Sequence, residues 1–210
     1  MIAQLSELQV DALTELVNLG VSRAAKSLRD LVQQEVLLSV PSVLLVGRER
    51  AVAILREREN SPLVAVHQIF EGDITGRALL IFPETKSLEL VRAVAGSDLS
   101  LEDIIELEHE ALAETGNIIL NSCLAMIANQ LQRSLKMSLP EILRGEGPEF
   151  FELAPPPHPG EVVLFLYINF LVRERDIRGY IALLMDLPSL AALKSLLSQY
   201  IERTAGASEG

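Results

Sequence analysis

From Ser6 to about Gln34, apolar residues recur at spacings of three and four. Val10, Leu13, Val17, Val21, Ala24, Leu28 and Leu31 fall on one stripe, which predicts an amphipathic helix. The text then changes to EVLLSVPSVLLV, rich in Leu and β-branched residues, between Glu35 and Val46. This predicts one or two strands, with Pro41 at an edge or a bend. RAVAILRE from Arg50, LVAVHQIF from Leu63 and GRALLIFP from Gly76 read as three further strands. A helix from Thr85 to about Ala95 closes this half, and GSDLSLEDI from Gly96 reads as a loop with helix-capping residues.

The second half repeats the grammar. A long helix is expected from about Leu107 to Leu135, then an extended SLKMSLP segment. RGEGPEFFELAPPPHPG carries Pro148, Pro155, Pro156, Pro157 and Pro159 and predicts a surface loop. EVVLFLYINFLV and IRGYIALLMD read as buried strands, and Pro188 to Ile201 as a last helix. Residues 202–210 are expected to form a disordered tail.

Sliding the chain by 99 positions exposes an internal repeat. DALTELVNLG from Asp11 falls over EALAETGNII from Glu110, and Gln33, Ser39 and Pro41 fall on Gln132, Ser138 and Pro140. Further on, DITG at Asp73 matches DIRG at Asp176, and Ser87-Leu88 matches Ser189-Leu190, with offsets that drift as loop insertions would make them. The expected organisation is a single domain over 1–210, made of two repeats at about 6–95 and 107–201 and related by a pseudo-two-fold axis. Two long helices, each with one apolar stripe, and several Val-, Leu- and Ile-rich strands predict an α+β fold. In it the helices pack on one face of a mainly antiparallel sheet.

Composition narrows the function. Apolar residues make up 49% of the 210 and charged residues 22%, which excludes an intrinsically disordered chain. The net charge is −11, with no basic stripe, so nucleic acid and acidic membrane surfaces are excluded as partners. Cys123 is the only cysteine, and its place on the second helix's apolar stripe makes it a core thiol. His67, His109 and His158 are far apart and have no ligand spacing, so no metal site is expected. The opening residues lack a signal-peptide core, and the longest apolar stretch, Val162 to Val172, is too short to span a bilayer. A cytoplasmic protein is expected.

The candidate chemistry lies on the two long helices. Asp11, Glu15, Asn18 and Ser22 fall within a narrow arc away from the apolar stripe, and Glu110, Glu114, Asn117 and Asn121 form the same arc in the second half. Glu and Asn three apart project side by side. A lone E-x-x-N is ordinarily a solvated helix face. Here the whole pattern, an acidic residue, then Glu and Asn, then Pro after 22 further residues, occurs twice.

That pattern resembles the signature of the CheC-type chemotaxis phosphatases, which include CheX and FliY relatives. Asp11, Glu15, Asn18 and Pro41 match it fully. Glu114, Asn117 and Pro140 match it too, with Glu110 where the family usually has Asp or Ser. NLGVSRAAKSL after Asn18 is similar to the family's Asn-Ile-Gly-x-Gly-x-Ala-Ala stretch, with Ser22 for the second Gly. Two motifs resemble CheC proper more than CheX. The resemblance implies hydrolysis of the aspartyl phosphate on a CheY-like response regulator. In that role Asn18 and Asn117 would orient the attacking water, and Glu15 and Glu114 would pair with the regulator's lysine. Asp11, Ser22, Glu110 and Asn121 would border the partner. Mg²⁺ would come with the regulator, so no cofactor of its own is expected. A CheD-like protein is a further partner to consider, and a monomer or weak dimer is expected. The alternative is a non-catalytic adaptor that binds a regulator, a CheD-like protein or a flagellar-switch component with the same surface. No P-loop, G-x-G-x-x-G, G-x-S-x-G or H-E-x-x-H motif supports another enzyme class.

Overall fold

Ser6 and Gln9 cap the first helix reciprocally: the Ser6 amide donates to Gln9 Oε1 (3.0 Å) and the Gln9 amide to Ser6 Oγ (3.3 Å). The helix they start, α1 (Glu7–Val32), buries Leu13, Leu16, Val17, Val21, Ala24 and Leu28. The structure is a computed structural model that describes residues 4–32, 35–95, 100–152, 161–172 and 175–207. After α1 come β1 (Val36–Gly47), α2 (Arg48–Arg58), β2 (Leu63–Gly72), β3 (Gly76–Pro83) and α3 (Glu84–Ala95). The second half runs α4 (Leu101–Gln130), β4 (Leu135–Met137), β5 (Glu141–Gly145), a 3-10 turn at Pro148–Phe151, β6 (Val162–Val172), β7 (Arg175–Met185) and α5 (Leu187–Ala207).

Among the described residues seven strands form one antiparallel sheet, in the order β1-β6-β7-β3-β2-β4, with β5 also paired to β2. Exchanging β1 with the β4/β5 pair, β2 with β6 and β3 with β7 returns the same order read from the other end. The strand order therefore has the two-fold character expected of the repeat.

Strand alternation decides what each face of the sheet meets. Val64, Val66, Ala78, Leu80, Leu164, Leu166, Ile181 and Leu183 face the main core, closed by α1, α3, α4 and α5. Their neighbours Ala65, Leu79, Ile81, Val163, Phe165 and Ala182 face a second, smaller core under α2 and the 3-10 turn. The sheet is thus covered on both sides, where the sequence predicts helices on one.

Three local readings are corrected. RAVAILRE is helical, not a strand: Ala51, Ile54 and Leu55 are buried at helical spacing, and Arg50 pairs with Glu57 at 2.8 Å. These residues are short or good helix formers with charged ends, and the uncovered sheet face supplies the apolar surface. The predicted surface loop is partly core, since Arg144 and Gly145 end β5 and both Phe150 and Phe151 are fully buried. The aromatic pair outweighs the proline signal. Residues 202–207 continue α5, past Ile201 and into the expected tail, because Thr204 bonds back onto the carbonyls of Tyr200 and Ile201. Residues 208–210 and 153–160, with His158, lie outside the described residues.

Helix α4 begins at Leu101 and ends at Gln130, six residues earlier and five residues shorter at its end than its pattern predicts. Its segment Leu107–Gln130 is long and apolar enough to cross a membrane by length and composition, with mean hydropathy 1.3. Half of its most apolar stretch is buried in the protein, where Leu112, Ile119, Leu120, Leu124 and Ile127 enter the main core.

Candidate functional site

The apolar stripe of α1 turns its other face outward, leaving Asp11, Glu15 and Ser22 exposed. Asn18 sits at the border, half-buried. Its Oδ1 accepts from the Val40 amide at 2.9 Å and its Nδ2 donates to the Val40 carbonyl at 3.1 Å. Val40 lies where the register between β1 and β6 slips, between Ser39 and Ser42. Pro41 has no N–H to give a ladder, so the bulge falls there and Val40's main chain is left to the helix. The spacing from Asn18 to Pro41 is thus the sequence trace of a contact: Asn18 grips the residue just before the proline.

On α4, Glu110 and Glu114 are exposed and Asn117 and Asn121 half-buried, so the same four positions again share one face. The grip differs. Asn117 Oδ1 accepts from Gln68 Nε2 at 3.1 Å and from Asn121 Nδ2 at 2.6 Å. Gln68 Nε2 also donates to the Ser138 carbonyl at 2.8 Å. Here one edge strand is replaced by two short ones, β4 and β5, with Ser138 between them bonded to the Ile69 main chain. Leu139, the counterpart of Val40 in the repeat, is 86% exposed, whereas Val40 is 2% exposed. An open pocket of about 270 Å³ adjoins Asn121, walled by Leu124, Asn129, Arg133, Leu135 and Met137.

Each half therefore offers an exposed carboxylate beside a half-buried amide, anchored at opposite edges of the sheet. Sequence reasoning missed Gln68, which is 0% exposed. Its signal was a polar side chain between Val66 and Phe70 on the inward face of an apolar strand.

Other candidate groups are in structural use. Burial raises the Cys123 thiol to about 12, so it is no nucleophile. His67 projects from the sheet face opposite Gln68, with Nδ1 3.3 Å from Glu141 Oε2. Burial lowers its pKa more than Glu141 restores it. From the acidic start of α4, Glu108 turns inward: Ser87 Oγ donates to its Oε1 (2.9 Å) and Arg144 Nη2 to its Oε2 (2.7 Å), while Arg144 Nη1 reaches Glu84 (2.6 Å). Glu108 braces α3, α4 and β5. Among the described residues no three His, Cys, Asp or Glu side chains lie close enough to hold a metal ion.

No family model matches the chain. It is 28% identical over 141 residues to the CheY-P phosphatase CheC of Bacillus subtilis, a match that covers 66% of this chain and 67% of CheC. It is 24% identical over 140 residues to the flagellar motor switch phosphatase FliY of the same organism, covering 66% of this chain and 36% of that longer protein. In fold it is similar to Thermotoga maritima FliY, with a TM-score of 0.71 and 16% identity over 94% of this chain and all of that one. This chain carries the signature twice, on the outward faces of its two long helices. The chain is thus similar in sequence to CheC and FliY and similar in fold to FliY.

Proposed function

We propose that the protein hydrolyses the aspartyl phosphate of a CheY-like response regulator, using two faces built by a duplicated domain. The carrying observation is the paired Glu and Asn on each long helix, Glu15 with Asn18 and Glu114 with Asn117, the carboxylate exposed and the amide held in place by hydrogen bonds. The likeness to a protein named as a CheY-P phosphatase supports the substrate class.

An acyl phosphate is already activated, so a helper has mainly to position water and the phosphoryl group. An amide does this without titrating. Asn18 and Asn117 take that role, Glu15 and Glu114 pair with the regulator's active-site lysine, and Asp11, Ser22 and Glu110 border the partner. The divalent metal belongs to the regulator. Such a reaction belongs in the cytoplasm.

One observation favours an adaptor at the first face: the Asn18 amide already bonds both groups of Val40. The two readings separate in one assay. Phosphate release from a phosphorylated CheY-like receiver should accelerate with the wild type and return to the spontaneous rate with Asn18→Ala/Asn117→Ala. Binding to the receiver should survive. Failure of the wild type to accelerate release from any of several receivers, while still binding one, would leave the adaptor.

A further inference from the structure

We propose that Gln68 is a positioning residue of the second face, and that with Asn121 it fixes the Asn117 amide as a hydrogen-bond donor towards the regulator. This rests on the phosphatase reading and adds which end of the amide does the work.

The orientation follows from a main-chain atom whose identity is not in question. The Ser138 carbonyl can only accept, so the Gln68 atom 2.8 Å from it is the amide nitrogen. That same nitrogen lies 3.1 Å from Asn117, so the Asn117 atom there is the carbonyl oxygen, Oδ1. Asn121 Nδ2 closes on Oδ1 from its own helix at 2.6 Å. A carbonyl oxygen has two lone pairs, and both are now engaged. What Asn117 has left is its Nδ2–H₂ end, which has no partner among the described residues.

Asn18 differs. Val40 takes one lone pair and one N–H, which leaves one of each. The first amide can therefore accept from water and donate, whereas the second can only donate. Donors aimed at a phosphoryl oxygen stabilise charge that develops there, and a donor can also hold the attacking water through the lone pair that does not attack. Asn117 thus works by donation alone. Gln68 makes this geometry costly to undo, because turning its own amide would set its oxygen against the Ser138 carbonyl.

Two variants test this in an Asn18→Ala background, where the second face alone reports. Gln68→Met keeps the length of the buried side chain, and Asn121→Ala removes the other donor at a half-exposed helix position. Each should lower kcat for phosphate release about ten- to a hundred-fold, the range expected when a reacting group loses its placement. In Gln68→Met, where the altered side chain is fully buried, KM and binding of a beryllofluoride-activated receiver should not change. The side-chain NH₂ pair of Asn117, identified in NMR spectra by its loss in Asn117→Ala, should shift when that receiver binds the wild type. It should move towards free-amide positions in both variants. Unchanged kcat in both variants, or a raised KM with kcat intact, overturns the proposal. So does an Asn18→Ala protein that has lost all acceleration while the wild type keeps it. If the wild type accelerates nothing, the phosphatase reading fails on its own, and an Asn117 NH₂ pair unmoved in both variants then removes the positioning role as well.

Discussion

Gly20 of α1 and Cys123 of α4 meet backbone to backbone: a Cβ on Gly20 would stand 2.7 Å from the Cys123 Cα and 3.1 Å from the Ser122 carbonyl oxygen. Both atoms are main chain, so neither can rotate away. The contact lies two residues beyond Asn18 and two beyond Asn121, and so sets how closely the two motif-bearing helices approach. Gly20→Ala should destabilise the fold by about 1–3 kcal/mol through overpacking, less the roughly 1 kcal/mol that alanine gains over glycine in a helix. Gly206→Ala, in α5 with nothing within 4 Å, is the control and should be neutral or stabilising. Urea midpoints of the two variants read the difference, and equal midpoints would show that the helices part without cost.

Asn18 and Asn117 should differ in stability as well as chemistry. Asn18→Ala strands the N–H and C=O of Val40, a fully buried residue, at a cost of about 1–3 kcal/mol. Asn117→Ala leaves Gln68 still bonded to Ser138 and should cost less. Thermal unfolding of the two single variants checks this order. The comparison matters for kinetics, because activity lost in Asn18→Ala must be read on protein shown to be folded at the assay temperature.

The buried Cys123 thiol, pushed up to about 12, should resist chemistry in the folded protein. A disulfide reagent at pH 8 should modify no thiol in native protein within the time needed to label the urea-unfolded chain completely. Rapid native labelling would mean that α1 and α4 separate on that timescale.

His67 predicts a pH dependence whose sign follows from linkage. Burial lowers its folded pKa below the ordinary value of 6.5, so the unfolded chain takes up the proton first as pH falls. Its contribution is intact above about 6.5 and is lost as pH drops below that value towards the folded pKa. Urea midpoints measured from pH 7 to pH 5 should fall more steeply for the wild type than for His67→Gln. Parallel slopes would remove His67 from the acid response.

Much of the fold was legible because it rests on periodicity. The stripe of α1 and the continuous apolar runs of β6 and β7 are local patterns that read the same in sequence and in space. The motif faces were legible for the same reason: Glu15 and Asn18, and Glu114 and Asn117, need only a helix to stand together. α2 was not legible, because its short run of Ala, Val, Ile and Leu fits strand or helix until a bare sheet face selects one. Phe150 and Phe151 were hidden by the prolines around them, since burial depends on what the turn lands upon.

What the sequence determined by itself is the helix surface, the repeat and the residue types placed on each face, because a period of 3.6 fixes neighbours without reference to the rest of the chain. Only the tertiary structure decided how each amide is held. Asn18 meets Val40, 22 positions away, at a bulge on one edge of the sheet, and Asn117 meets Gln68, 49 positions back, near the other edge. Hydrogen bonds between such distant residues depend on strand order and register, which no local pattern encodes. The two motifs look alike in sequence, yet one amide keeps an acceptor free and the other only donors.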